Sequence, residues 1–218
     1  MGQKINPIGF RTGSFLPWKS RWFADNKTFK NLLVEDVKIR RSLMEKLKTA
    51  GIMSVEIERM AKSMTIVLNV SRPGVVIGRG GSGIEDIKKH VMQIIRDFRA
   101  VPVKNLKIDF QVKEVKNAEL SAQLVSVRVA QDLERRMPGR RVVTRTMERV
   151  MQSGASGIKV VLSGRIGGAD ISRVEKYHQG SVPTQTLREH IDYAQTPALL
   201  AKGYVGVKVW IYTKEVTK

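Results

Sequence analysis

The chain has 218 residues and a formal net charge of +19, from 39 Lys and Arg against 20 Asp and Glu. A basic excess of this size indicates a polyanionic partner, and a hydrophobic content of 42% excludes a disordered basic tail. The absence of cysteine excludes disulfides, thiolate catalysis and cysteine-based zinc sites, and the three histidines lack the spacing of a helix-borne metal site. We therefore expect a nucleic-acid-binding protein without metal or cofactor; a basic protein whose charge only prevents aggregation is the alternative.

No apolar run approaches the length of a membrane span, and the first residues lack the apolar core of a signal peptide. We therefore expect a cytoplasmic protein that makes no membrane contact. An enzyme would need a nucleophile, a metal cluster or convergent carboxylates, whereas the acidic residues of the second half are scattered singly among strands and turns. The sequence therefore predicts a protein without catalytic activity.

Residues 1–34 form a basic and aromatic N-terminal arm without a clean helical or strand period. Its cations stand beside aromatic side chains, a composition that suits phosphate neutralisation and stacking on bases. We predict RNA contacts from Lys4, Arg11 and Trp22. In the alternative interpretation, the aromatic residues of the arm only cap the core of a domain.

A first domain is predicted over residues 35–113. It begins with a helix from Glu35 to Ala50, whose inward stripe is expected to consist of Val37, Leu43, Met44 and Leu47. Two alternating runs then predict an antiparallel hairpin, and a short apolar turn leads into a glycine cluster. A second amphipathic helix and a strand at 106–110 follow. The order is therefore helix, strand, strand, short helix, glycine loop, helix, strand.

The glycine cluster consists of Gly78, Arg79, Gly80 and Gly81. Gly78 and Gly80, together with Gly83, satisfy the spacing of a dinucleotide-binding fingerprint, but no strand runs directly into Gly78 and a hairpin already stands upstream. The element order instead favours the GXXG loop of a KH module, in which glycines let the backbone approach a sugar-phosphate chain and Arg79 supplies the cation. A tight turn between helices without a ligand is the remaining alternative.

The second domain is predicted over residues 114–218, as helices followed by a four-stranded, largely antiparallel sheet. Its first helix is expected from Ala118 to Met137, where Pro138 and Gly139 should end or bend it. Its second helix is expected to turn apolar residues inward, namely Val143, Met147, Val150 and Met151.

An arginine-rich segment spans the predicted turn and the second helix of this domain, with Arg135, Arg136, Arg140, Arg141, Arg145 and Arg149. The last three recur every four residues and so share one helical face. Charge runs on helices are usually only solvated faces, but arginines that repel one another favour contact with a polyanion, so we predict RNA binding. Arg165, in the glycine-rich stretch 163–170, is a further candidate contact or part of a simple turn.

Several stretches resemble signatures of one family, the bacterial form of the universal S-three family of the small ribosomal subunit. They lie along nearly the whole chain and read MGQKINP (1–7), VIGRGG (76–81), SGRIGGA (163–169), VPT (182–184) and GVKVWIY (206–212). The resemblance implies an α+β fold, in which a KH type II domain is followed by a family-specific C-terminal domain with helices packed on the sheet. It also implies a ribosomal protein rather than an enzyme.

The resemblance implies binding to ribosomal RNA in the head of the small subunit, in one copy per subunit. It further implies contacts with small-subunit proteins ten and fourteen in the head, and a place near proteins four and five where messenger RNA enters. The family's basic cluster at that entrance corresponds here to Arg140, Arg141 and Thr144. The third position is usually basic, so Thr144 departs from the family pattern, although Arg145 follows directly.

Two further points concern the KH region. The segment 93–105 looks longer than is usual in the family that the chain resembles, so the C-terminal boundary of the KH domain is not sharply defined by the sequence. The resemblance does not assign the glycine loop to ribosomal RNA, so the ligand of that loop stays open. The alternative function is that of a free-standing KH regulator, because a GXXG loop and a basic face serve both kinds of protein.

Overall fold

The computed structural model describes residues 4–60, 63–98 and 106–214. The chain divides into two units, one of Trp18–Lys116 and the other of Met1–Pro17 with Asn117–Lys218. These limits differ from the predicted boundaries after residues 34 and 113. The predicted arm is split between the units, because its first part is fastened to the second half of the chain. The predicted long segment 93–105 lies outside the described residues from position 99 onward.

The helices are α1 (Pro7–Arg11), α2 (Asn26–Lys46), α3 (Pro73–Ile77), α4 (Ser82–Phe98), α5 (Ala122–Glu134) and α6 (Gly139–Gln152). The strands are β1 (Ser20–Arg21), β2 (Ile52–Arg59), β3 (Ser63–Val70), β4 (Lys107–Glu114), β5 (Gly157–Gly164), β6 (Arg173–Gly180), β7 (His190–Leu200) and β8 (Gly203–Thr213). Each unit therefore combines helices with one sheet, which confirms the predicted α+β class.

In the unit of Trp18–Lys116, the sheet has the strand order β1-β2-β3-β4. Strands β2 and β3 are antiparallel, which confirms the predicted hairpin, whereas β4 runs parallel to β3. Helices α2 and α4 cover this sheet through an apolar core that includes Ile39, Leu43, Ile57, Leu68 and Val91. The element order is the one predicted for a KH domain of type II.

Helix α2 differs from its prediction in its start and in its inward face. It begins at Asn26 rather than Glu35, so its first turns lie in the stretch that was assigned to the N-terminal arm. Most residues of these turns are exposed. Val37 and Met44, which were expected to point inward, are 48% and 40% exposed. The inward face instead carries the buried carboxylate of Asp36, which a search for apolar periodicity does not detect.

In the second unit, the sheet is antiparallel and has the strand order β6-β5-β8-β7. Helices α5 and α6 pack on one face of it, with buried residues that include Val125, Val129, Val143, Val150, Ile158 and Val207. Helix α5 starts at Ala122, after a 3-10 turn at Ala118–Leu120, because the Asp192 carboxylate accepts a 2.8 Å hydrogen bond from the Ala122 amide. Every helix within the described ranges is too short or too polar to cross a bilayer.

Candidate nucleic-acid interface

The glycine loop connects α3 to α4 and leaves part of its main chain open. Gly78, Gly80 and Gly81 have φ angles of 70°, 61° and 83°, a left-handed backbone that residues with a side chain rarely adopt. A Cβ atom added to Gly80 or Gly81 would meet nothing within 4 Å. The loop is therefore accessible on the side of these two residues.

The base of the loop is tightly closed. A Cβ atom on Gly83 would come within 2.5 Å of the carbonyl oxygen of Val76, so the start of α4 lies directly against α3. The Ser82 hydroxyl donates a 3.0 Å hydrogen bond to the carbonyl of Arg79 and holds the turn. The Arg79 side chain is exposed and forms no ion pair with any described residue. Open backbone beside an unpaired cation suits a sugar-phosphate chain.

A second basic region, the arginine surface, is formed by α6 and the turn before it and consists of Arg135, Arg136, Arg140, Arg141, Arg145 and Arg149. The opposite side of α6 is buried and consists of Val142, Val143, Thr146, Met147 and Val150. Of the predicted outward stripe, Arg141 and Arg145 are exposed, and Arg149 is half-buried. None of these arginines forms an ion pair with a described residue, so their charges are unneutralised within the part of the chain that the structure describes.

The turn between α5 and α6 points its two arginines outward. Arg135 follows the last residue of α5, and its amide donates a 3.0 Å hydrogen bond to the carbonyl of Gln131. Arg136 has a φ of 62°, which is uncommon for a residue other than glycine. Its amide donates to the carbonyl of Leu133 at 2.9 Å. The backbone therefore reverses with its polar groups satisfied while both side chains stay exposed.

Thr144 lies on the exposed side of α6 among these arginines. Its hydroxyl donates a 3.0 Å hydrogen bond to the carbonyl of Arg140, one turn earlier in the helix. The side chain of Arg145, directly after it, is exposed. The departure from the family pattern at Thr144 therefore leaves cations before and after that position.

Arg11 was predicted to contact RNA, but this residue is only 1% exposed. Its Nε donates to the carbonyl of Glu189 at 2.8 Å, and its terminal nitrogens donate to the carbonyls of Pro7, Thr184 and Thr186. The structure therefore does not support the prediction that Arg11 binds RNA. Its donors are satisfied inside the protein, where they fasten α1 to the loop before β7.

Two other predicted RNA contacts serve the protein's own structure. Trp22 is half-buried and donates from Nε1 to the Asp36 carboxylate at 2.8 Å. This contact supports the alternative in which aromatic residues of the arm cap a core. Arg165 donates from Nε to the carbonyl of Ala169 at 2.8 Å and so fastens its own glycine-rich turn. Its side chain remains 40% exposed, which leaves it partly accessible.

Lys4 is exposed and lines a groove with lysines that were not predicted as ligands, Lys159, Lys176 and Lys208. The last three stand on different strands, so their spacing in the sequence does not reveal that they are neighbours. One signal was present in β8, where Lys208 and Trp210 alternate with the buried Val207, Val209 and Ile211. Such alternation predicts that the sheet has a polar and aromatic outer face.

Within the ranges that the structure describes, no group of three acidic or histidine side chains could hold a metal ion. The basic regions offer charge neutralisation, main-chain hydrogen bonds and aromatic stacking. These are the interactions by which proteins hold nucleic-acid backbones and unpaired bases.

Two families match the chain, one for each unit. Residues 38–120, which contain the glycine loop, match the KH domain family. Residues 129–211, which contain the arginine surface, match the family described as the C-terminal domain of ribosomal protein S3.

Relatives match the chain along nearly its whole length. A protein of Caldicellulosiruptor saccharolyticus is 47% identical over 216 residues, which cover 99% of this chain and 94% of the relative. A protein of Clostridium acetobutylicum is 44% identical with the same two coverages, and both are named small ribosomal subunit protein uS3. At this identity and coverage, the chain belongs to the uS3 family of small ribosomal subunit proteins.

Proposed function

We propose that the chain binds ribosomal RNA in the head of the small subunit as a structural, non-catalytic constituent, and that its arginine surface holds messenger RNA where the messenger enters. The observation that carries this proposal is the row of arginines on α6 that form no ion pair with a described residue, of which Arg140, Arg141 and Arg145 are exposed. The family resemblance supports the location, because Arg140 and Arg141 occupy positions of the family's basic cluster at the messenger entrance.

Electrostatics explain why this surface fits a polyanion. Arg141, Arg145 and Arg149 lie one turn apart on α6, so their like charges oppose one another in the free protein. A phosphate chain relieves this repulsion and releases counterions, which gives a favourable contribution to binding. Since phosphates are the same in every sequence, such contacts hold RNA without reading its bases. A messenger that moves through the site requires this kind of contact.

The packing of α6 distinguishes gripping a messenger from anchoring the protein. The side of α6 that stabilises the fold is formed by Val142, Val143 and Val150, and it does not include the arginines. The arginines can therefore be removed without opening the core. In this proposal they steady newly separated strands, while the ribosome's own movement performs the work of opening them, so no nucleotide-hydrolysis site is required.

The test replaces Arg140, Arg141 and Arg145 with Ala in the full chain and measures translation by ribosomes that contain it. We expect normal incorporation into small subunits, slower translation through a stable hairpin and little change on an unstructured message. The matched control removes the same charge from exposed arginines elsewhere, in the variant Arg41→Ala, Arg96→Ala, Arg188→Ala. The control should translate both messages at comparable relative rates.

Two results would contradict the proposal in different ways. If the triple variant fails to enter subunits while the control enters, the arginine surface anchors the protein to ribosomal RNA. If the triple variant translates the hairpin at the parent rate, the messenger contact lies elsewhere on the chain.

A further inference from the structure

The outer face of the C-terminal sheet, away from α5 and α6, brings basic and aromatic residues together across its strands. Lys159 of β5 is directly opposite Trp210 of β8, and Trp210 is directly opposite Tyr193 of β7. The neighbouring row places Lys176 of β6 and Lys208 of β8 on either side of the β5 strand. Strand register, rather than chain proximity, therefore assembles this face.

Residues of the N-terminal segment form a wall beside this face and turn it into a groove. The cavity has a volume of about 800 Å³ and is lined by Lys4 and Phe10 from that segment, as well as by the sheet residues. This volume lies in the range of about 300–1,000 Å³ that is typical of sites for small organic ligands. We call it the lysine groove, defined by Lys4, Lys159, Lys176, Lys208, Tyr193 and Trp210.

The charges of the lysine groove are unbalanced. No aspartate or glutamate is among its described lining residues, and none of its four lysines forms an ion pair with a described residue. Burial lowers the pKa of the Lys159 ammonium, and the nearby positive charges of Lys4 and Lys176 lower it further. A cluster of cations that destabilise one another is the electrostatic counterpart of an anionic ligand.

The aromatic residues of the groove offer a surface for stacking. The rings of Tyr193 and Trp210 lie 5.0 Å apart between centroids and are tilted by 43°. The Lys159 ammonium lies 5.3 Å from the centroid of the Trp210 ring. Both rings are only half-buried, so part of their surface is accessible from the groove. Cations beside accessible rings form the combination that binds unpaired nucleotides.

We propose that the lysine groove is a further RNA-binding site, in which the lysines neutralise phosphates of a single-stranded segment and the Tyr193–Trp210 pair stacks on a base. Binding of a polypeptide is less favoured by the topology. Strands β5 and β8 are central in their sheet, so their main-chain groups are already paired and cannot accept an added strand. This site is distinct from the arginine surface and goes beyond the function proposed for it, sharing only the class of ligand.

The test uses the full chain and a short single-stranded RNA that carries photoreactive thiouridine. In the parent protein, we expect crosslinks in the peptides of β7 or β8. Replacement of Lys159 and Lys208 with Gln should remove these crosslinks and reduce the slope of log affinity against log salt by about 1.4, since each phosphate contributes about 0.7. The control variant Lys27→Gln, Lys30→Gln removes two exposed lysines from α2 and should leave the crosslinks in place.

A second pair of variants separates stacking from charge. Trp210→Leu should weaken binding at the groove by roughly 5-fold to 150-fold without changing the salt slope, because stacking is worth about 1–3 kcal/mol per base. Trp210→Phe keeps an aromatic face and should recover much of the affinity. Circular dichroism of each variant identifies any loss that comes from unfolding instead.

Several results would overturn the proposal. If the parent protein forms no crosslinks in β7 or β8, RNA does not occupy the groove. The same conclusion follows if the salt slope of the Lys159→Gln, Lys208→Gln variant is unchanged. In intact small subunits, an amine-reactive crosslink from Lys159 or Lys208 to another protein, without an RNA crosslink there, would identify a protein occupant. The triple arginine variant should keep the groove crosslinks, so the failure of either site is distinguishable from the failure of the other.

Discussion

Arg59 and Asp36 form a buried ion pair, in which the Arg59 Nε donates a 2.8 Å hydrogen bond to the Asp36 carboxylate. The Arg59 side chain is 8% exposed and that of Asp36 is 1% exposed. Glu35, also buried, accepts a second bond from the same guanidinium at 2.8 Å. This cluster joins α2 to the end of β2. It explains how a helix of the KH unit can turn two acids toward the interior.

Replacement of Arg59 with Met should therefore strongly destabilise the unit of Trp18–Lys116, which contains the KH domain. The change removes the guanidinium that pairs with two buried carboxylates, and removing one partner of a buried pair costs about 3–5 kcal/mol. Chemical denaturation followed by circular dichroism measures the loss. The control is Arg21→Met, since Arg21 is 52% exposed and pairs with Glu56 and Glu58 at the surface. A loss for Arg59→Met no larger than that for the control would show that the buried pair adds no stability.

The glycine loop should lose contact with RNA when it acquires negative charge. The variant Gly80→Asp, Gly81→Asp adds two carboxylates where a Cβ atom meets nothing within 4 Å. We expect it to stay folded and to lose crosslinks between the loop and single-stranded RNA. The variant Gly80→Asn, Gly81→Asn has side chains of the same shape and a similar tolerance of left-handed backbone, so only charge differs. If the Asp variant crosslinks as well as the parent, the loop is only a turn.

The pKa of Lys159 should respond to its neighbours in the lysine groove. The positive charge of Lys176 lowers the pKa of Lys159, so Lys176→Gln should raise that pKa and shift the reactivity of the Lys159 amine to higher pH. Competitive amine labelling across a pH series, read by mass spectrometry, measures this shift. Lys30→Gln changes the same charge in the other unit and should leave the labelling of Lys159 unchanged. A shift to lower pH in Lys176→Gln would contradict the arrangement of the groove.

RNA binding by the isolated chain should fall steeply with salt. Each phosphate that the protein neutralises contributes about 0.7–0.9 to the slope of log affinity against log salt. Replacement of Arg140, Arg141 and Arg145 with Ala should lower this slope by about 2, from three phosphates at about 0.7 each on a single strand. Fluorescence anisotropy across a salt titration gives both slopes. A parent slope near zero would show that the net charge does not drive binding.

Local pattern predicted much of the fold. Hydrophobic patterns placed the strands of both units except β1, which lies in the arm for which no strand period was found. Pro138 with Gly139 located the break between α5 and α6. The outward arginines of α6 followed from a spacing of four, because helix geometry alone decides which residues share a face. These features depend on neighbours within a few residues, which the sequence displays directly.

Features that depend on distant partners were not predictable. Arg11 is buried because it meets the carbonyls of Thr184, Thr186 and Glu189, more than 170 positions later in the chain. A lysine groove requires the register of several strands, and a single sequence does not specify that register. The composition of the arm suggested that Arg11 contacts RNA, because composition only shows how many cations are present. It does not show which cations form their hydrogen bonds within the protein.

The most direct test of the messenger contact uses Thr144, which is exposed among the arginines of α6 and whose replacement removes no charge. A photoreactive amino acid at this position, in small subunits paused on a defined messenger, reports what lies against the arginine surface. We expect crosslinks to the messenger on its incoming side, and we expect them to disappear when the messenger is too short to reach the entrance. Crosslinks to ribosomal RNA alone, unchanged by the presence or length of the messenger, would contradict the account.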